Sequence, residues 1–109
     1  LIKVDISSPV WSGVALLVDS EKQAQIGYDP LQSAVILDCR PAGGLITTIP
    51  FPTGLADSVN LRIFIDGSVV EIFDDNRLLA SARFYPQNPR AMIAQCVGRA
   101  SADIWQLEP

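Results

Sequence analysis

Two apolar runs that meet at Asp66-Gly67 constrain this chain more than any other feature in it. The stretch Leu61–Pro86 reads LRIFIDGSVVEIFDDNRLLASARFYP. An Asp-Gly pair between apolar runs is a strong short-range signal for a β-hairpin, because a two-residue type I′ turn needs positive φ at both central positions. Leu61, Ile63 and Ile65 fall on one face of the first strand. Val69, Val70, Ile72 and Phe73 supply apolar groups to both faces of the second. A turn at Asp74-Asp75-Asn76 leads to a third strand, Arg77 to Tyr85, which Pro86 ends. The expected centre is therefore a three-stranded antiparallel meander, apolar enough to sit inside a sandwich.

The remainder of the chain repeats this pattern of short strands and turn signals. Ile2-Lys3-Val4-Asp5-Ile6 alternates as a half-buried strand does, and Ser7-Ser8-Pro9 breaks it. Gly13 to Val18 is a continuous apolar run, as expected of a strand covered on both faces. Asp19 to Lys22 is a polar turn. Strands are expected at Gln23–Tyr28, Ser33–Cys39 and Leu45–Ile49, punctuated by Asp29-Pro30, Pro41 and Gly43-Gly44. Pro50-Phe51-Pro52 is loop, because each proline removes a ladder donor. Ala91–Val97 and Ser101–Leu107 complete the set. About ten short strands without helical periodicity predict an all-β fold: an antiparallel β-sandwich of two sheets, of the concanavalin-like or jelly-roll type.

Residues 1–109 are read as one domain, a length at which a single core forms without staples. The composition, 49% hydrophobic and 18% charged, argues against disorder. A net charge of −4 with a pI near 4.5, and no cluster of Lys or Arg, argues against a nucleic-acid partner. No apolar run approaches the ~20 residues of a membrane-spanning helix, so no membrane partner is expected. A start at Leu1, with no initiator Met, inside what reads as a strand suggests a piece cut from a longer chain. Cys39 and Cys96 are the two cysteines. They either pair or remain buried free thiols, the second being the commoner outcome for cysteines in apolar strands.

The chemistry-bearing residues are few. There is no histidine, which removes Ser-His and Cys-His nucleophiles and most catalytic zinc sites. Asp66 and Glu71 sit on strands joined by one turn. A glycosidase needs two carboxyls about 5 to 10 Å apart across a cleft, but Asp66 suits a tight turn and Glu71 suits a cross-strand pair with Arg62, Arg77 or Arg83. Structural roles are the expectation for both. The acidic turn Asp74-Asp75-Asn76 falls short of the about six to eight oxygens a calcium cage requires, so no metal and no cofactor is expected. Trp11, Tyr28 and Phe51 are the aromatics that lie in or beside loops. They are the candidates for stacking on a sugar ring; Trp105, in an alternating strand, reads as core.

The central stretch also carries a family pattern. The C-terminal β-sandwich module of glycoside hydrolase family 32 (invertases, levanases, inulinases, fructan β-fructosidases) has a pattern close to L-x-[IV]-x-[IV]-D-x-S-x-[VI]-E-x-F, followed by a strand ending in Tyr-Pro. Leu61, Ile63, Ile65, Asp66, Ser68, Val70, Glu71, Phe73 and Tyr85-Pro86 fall on it, and the chain resembles that module. AQIGYD (Ala24–Asp29), VILDCR (Val35–Arg40) and IWQL (Ile104–Leu107) are similar to further strands of it. The resemblance implies that Asp66, Ser68, Glu71, Phe73 and Tyr85 are structural motif residues, with no catalytic residue in this chain. The family's catalytic carboxylates lie in a separate N-terminal five-bladed β-propeller, in motifs resembling W-x-N-D-P-N-G, R-D-P and E-C-P, none of which occurs here. It implies the propeller of the parent chain as partner and tilts the compartment towards secreted or periplasmic; the apolar patch that a missing propeller would expose predicts a homodimer, and a fructan oligosaccharide is the partner expected if the module binds sugar by itself. Three functions follow: a non-catalytic module that stabilises the propeller, a stand-alone carbohydrate-binding module, or a structural oligomerisation domain.

Overall fold

Alternation along the strands dictates two faces per sheet, and the sheets meet on the apolar ones. In a computed structural model the chain forms two stacked sheets; the structure describes residues 2–5, 11–51, 58–74, 77–88, 91–98, 100–102 and 104–107. In chain order the strands are β1 (Ile2–Asp5), β2 (Ser12–Val18), β3 (Glu21–Asp29), β4 (Ala34–Asp38), β5 (Ile46–Pro50), β6 (Ser58–Asp66), β7 (Val69–Asp74), β8 (Arg77–Arg83), β9 (Ile93–Val97), β10 (Ala100–Ala102) and β11 (Ile104–Leu107). One 3₁₀ turn, Arg40–Ala42, stands between β4 and β5. One sheet runs β10-β1-β6-β7-β8, with β11 also on β6; the other runs β5-β4-β3-β2-β9. The expected two-sheet β-sandwich is therefore the fold. The loop expected from Pro50 begins one residue later, because Pro50 is the last residue of β5, opposite Ala34, and β5 is an edge strand, where a missing N–H is tolerated. Ser7–Pro9 and Pro52 lie outside the described residues, as do Asp75, Asn76 and Pro89.

The predicted meander is present as β6-β7-β8. Ile63 faces Ile72 and Ile65 faces Val70 across β6 and β7; Ile72 faces Ala80 and Val70 faces Ala82 across β7 and β8. The inward row Leu61, Ile63, Ile65, Val70 and Ile72 is buried to within 1%. Opposite it lie Val14, Leu16, Ala24, Ile26, Tyr28, Val35 and Leu37 of the second sheet, in the same apolar cluster. Each such fully buried aliphatic side chain is worth about 1.5–3 kcal/mol over its exposed state.

Two turns differ from expectation. Asp66 pairs with Val69, so the loop is Gly67-Ser68 rather than Asp66-Gly67. Positive φ occurs at Gly67 (58°) and not at Asp66, the pattern of a type II′ rather than a type I′ hairpin. This shift places the one left-handed residue on glycine and spares Asp66 a cost of roughly 1–2 kcal/mol. The type I′ pattern appears instead at Asp19-Ser20, where φ is 50° and 66° and Val18 pairs with Glu21.

The last predicted strand is two. β10 pairs antiparallel with β1, whereas β11 pairs parallel with β6. β6 is nine residues long; β1 covers Ser58–Leu61 of its edge and β11 covers Ile63–Asp66. The other ladders are antiparallel. Trp105 stands in register with Phe64; its side chain lies outside the described part.

The meander is fastened to the second sheet just beyond β8. Phe84, fully buried, donates its N–H to the Ser68 carbonyl at 2.9 Å, and the Tyr85 N–H donates to the Ala42 carbonyl at 2.7 Å. The expected third strand thus ends at Arg83 rather than Tyr85: Phe84 still bonds in line with the β7–β8 register, and Tyr85 turns its backbone donor to the other sheet. Buried Gln23 completes the fastening: its Oε1 accepts the Gln87 N–H at 3.1 Å, and its Nε2 donates to the Glu21 carbonyl at 3.1 Å.

Gly13 and Gly27 face each other across β2 and β3, and a Cβ on Gly13 would stand 2.1 Å from the Ile26 carbonyl oxygen. Gly13→Ala is expected to lower stability by about 2 kcal/mol or more, some 8 °C or more in Tm for a domain of this size. Ser20→Gly, which relieves a positive φ, should raise stability by about 0.5–1 kcal/mol. Thermal and urea melts of both variants check the pair, and opposite signs are the expected result.

Candidate functional site

The motif on β6 and β7 divides by strand parity. Leu61, Ile63, Ile65, Val70 and Ile72 point into the core, so Arg62, Phe64, Glu71 and Phe73 occupy the outer face of the six-stranded sheet. Phe64 and Phe73 meet there edge to face, centroids 5.6 Å apart at 86°. Both are half-buried, as is Glu71, and Leu78 beside them is 49% exposed. Asp66 shares this face. Glu71 stands opposite Phe64, two residues back from Asp66, so the carboxylates are diagonal neighbours on an open sheet surface rather than partners across a cleft.

The expected ion pair of Glu71 is not formed. Across the ladders it faces Phe64 and Ser81, and among the described residues the ion pairs are Arg40–Asp38 and Arg77–Asp74. Arg77 is drawn to Asp74, directly opposite it at the β7–β8 turn, at 3.3 Å. Ser68 takes part in the motif through its backbone, whose carbonyl receives Phe84.

Trp11, Tyr28 and Phe51 come to the same end of the five-stranded sheet but not to one surface. Trp11 leads into β2, Tyr28 is near the end of β3, and Phe51 follows β5. The Tyr28 ring is 2% exposed and belongs to the core, because its parity matches Ile26 and Ala24. Half-buried Trp11 lies across the backbone of β3, where a Cβ on Gly27 would meet its Cζ2 at 2.8 Å. Phe51 packs on the core edge and donates its N–H to the Ser33 carbonyl at 3.0 Å. β2 and β5 are three strand spacings apart, roughly 14 Å.

The structure forms a different concavity, a groove of about 380 Å³ between the edge strands β5 and β8. Gly43, Leu45 and Thr47 line one side; Ser81, Arg83 and Tyr85 line the other. Tyr85 is 63% exposed and Leu45 78% exposed. Its residues come from two remote segments, so strand patterning gave no sign of it; the signals present were the Gly43-Gly44 pair and the Tyr-Pro that follows β8.

Next to this groove, Asp38 accepts the Arg40 backbone N–H and Nε on Oδ1, both at 3.0 Å, and Nη2 on Oδ2 at 2.8 Å. The hydrogen-bonded guanidinium holds the Asp38 carboxyl below its ordinary range. Cys39 and Cys96 are both free thiols. Cys39 is buried as expected, and burial pushes it up to about 11, with Asp38 adding to the effect. Cys96 is exposed, contrary to the expectation of two buried thiols, because β9 is the last strand of its sheet. Among the described residues, no three His, Cys, Asp or Glu side chains gather as a metal site.

The chain matches the family model for the glycosyl hydrolases family 32 C-terminal domain over residues 2–106. It belongs to that family. No curated protein and no solved structure gave a significant match. As a family 32 C-terminal domain it is a module of a glycoside hydrolase, and the β6–β7 motif that suggested the family supplies one side of its core.

The two thiols of this module differ sharply in environment. At pH 8 a disulfide reagent should label one thiol quickly in the folded protein, and Cys96→Ser should abolish that reaction. At alkaline pH the Cys39 thiol ionises in the unfolded chain from about 9.0 and in the folded protein only near 11. The unfolded state therefore sheds its proton first, and stability falls between those values, by on the order of 2 kcal/mol. Urea melts from pH 8 to 11 should show a steeper decline for the parent than for Cys39→Ala.

Proposed function

We propose that this chain is the non-catalytic β-sandwich module of a glycoside hydrolase acting on fructans or sucrose, and that it packs against and stabilises a catalytic β-propeller in the same polypeptide. The observation that carries the packing is the outer face of the six-stranded sheet. Phe64, Phe73 and Leu78 stand there on the side away from the core, next to a Glu71 that no Arg neutralises among the described residues. Interfaces between domains of one chain commonly cover some 600–1,500 Å² and are partly apolar, which suits this face.

By itself the chain is expected to hydrolyse neither sucrose, inulin nor levan. Turnover that scales with protein and disappears in Glu71→Gln would overturn the non-catalytic assignment. The packing is tested in a polypeptide that also carries the catalytic domain. Phe73→Ser should lower the melting temperature of the catalytic domain there, while the isolated module loses at most about 1 kcal/mol. An equal loss in both settings would assign Phe73 to the module's own stability alone.

A specific observation also favours self-association. β9 closes the five-stranded sheet, and all five of its residues are exposed, including Ile93 at 61% and Val97 at 37%. It carries no charge and no proline, the devices that usually blunt an edge strand. The partner that fits is a second copy, paired antiparallel about Gln95 so that Ile93 meets Val97 of the second copy. Light scattering at rising concentration should show a weak dimer that Val97→Lys abolishes; a monomer throughout would reject this pairing.

A further inference from the structure

We propose that the groove between β5 and β8 binds a neutral oligosaccharide, with one sugar ring stacked on Tyr85. Its volume of about 380 Å³ lies in the range of small-molecule sites, roughly 300–1,000 Å³. Tyr85 is held ready for a ligand. Its N–H is tied to the Ala42 carbonyl at 2.7 Å, and its Cδ2 lies 3.4 Å from where a Cβ on Gly43 would stand. The ring is thus braced at Gly43 yet 63% exposed, as a stacking platform requires. Gly43 has a φ of 81°, a left-handed conformation that favours glycine and so keeps a side chain out of the groove floor.

The polar groups around the ring select the ligand. Thr47 and Ser81 bring hydroxyls that donate and accept, and Arg83 brings a fan of donors. Among the described residues Arg83 enters no ion pair, so its donors are available to sugar oxygens. Among the described residues no carboxylate lines the groove, which disfavours a cationic ligand. A single guanidinium on a chain of net charge −4 disfavours an anionic one. A neutral polyhydroxyl ring answers both conditions. The inference concerns this chain alone and does not rest on its packing against a propeller.

The test is calorimetric titration of the chain with inulin-type and levan-type tetrasaccharides, together with amide chemical shifts. Saturable millimolar binding is expected for at least one of them, with shift changes concentrated at residues 43–47 and 81–85. Tyr85→Ala should weaken binding about tenfold or more, and Tyr85→Phe by no more than about threefold, since the stacking ring is retained. Arg83→Ala should weaken it as well, while the exposed positions leave the melting curve nearly unchanged. Absence of binding to either sugar would overturn the proposal. So would binding that survives Tyr85→Ala and is lost in Trp11→Ala, which would locate the sugar at the other end of the five-stranded sheet. Either failure leaves the module reading standing, because that reading is decided by melting of the two-domain polypeptide.

Discussion

The inward row of β6 and β7 is the constraint from which the remaining structure follows. Five aliphatic side chains on these strands are withdrawn from water almost completely, and together they account for on the order of 10 kcal/mol of hydrophobic driving force. A slip of one residue would turn the entire row to solvent. The burial therefore fixes the register, and the register decides which residues are left to face outward. Phe64, Glu71 and Phe73 are on the surface because Ile63, Ile65, Val70 and Ile72 cannot be. A motif that reads as one unit in the sequence is thus two sets of residues, one holding the sandwich together and one presented to whatever lies against the sheet.

A second dependence links the sheets at one side. Just beyond β8 the Phe84 ring enters the core while its N–H still bonds to Ser68, in line with the β7–β8 register, and the next N–H leaves that sheet for Ala42 on the 3₁₀ turn of the other. The Tyr85–Ala42 bond, with Gln23 holding Gln87, bridges the two sheets at this end of the sandwich. Beyond these bonds β5 and β8 stand apart, and the space between the two strands is the groove. Tyr85 owes its exposure to the same geometry, since burial of Phe84 sends its neighbour to the opposite side.

The fold was legible because its signals are local. Alternation, apolar runs and proline or glycine breaks placed nearly every strand, and Leu61 to Arg83 formed the meander its pattern promised. What was not legible depends on partners far away in the chain. Ser101–Leu107 reads as one strand, yet Ala100–Ala102 finds β1 and Ile104–Leu107 finds the half of β6 that β1 leaves uncovered. Tyr28 reads as a loop-side aromatic because Asp29-Pro30 follows it, whereas strand parity with Ile26 sends it inward. Arg77 reads in the sequence as one of three arginines that could pair with Glu71, whereas the β7–β8 register sets it opposite Asp74, with which it forms its ion pair. At Asp66-Gly67 the dipeptide correctly announced a hairpin, but the loop moved to Gly67-Ser68. That register gives inward Ile65 a Val70 to pack against instead of Ser68 and leaves positive φ to glycine.

The two ends of the five-stranded sheet differ in a way that bears on function. At β9 the edge is uncharged and exposed on both sides, which suits main-chain pairing and little else. At β5 the edge faces β8 across a groove that holds an aromatic ring, two hydroxyls and a guanidinium that enters no ion pair among the described residues. Backbone pairing needs no such side chains, and a groove for a small polar ligand needs no bare ladder. The outer face of the other sheet, with its aromatic pair, is suited to neither of these and matches the broad, partly apolar contact between domains. Three surfaces of one small module are thus built from different chemistry, and each follows from where the buried row of β6 and β7 placed its neighbours.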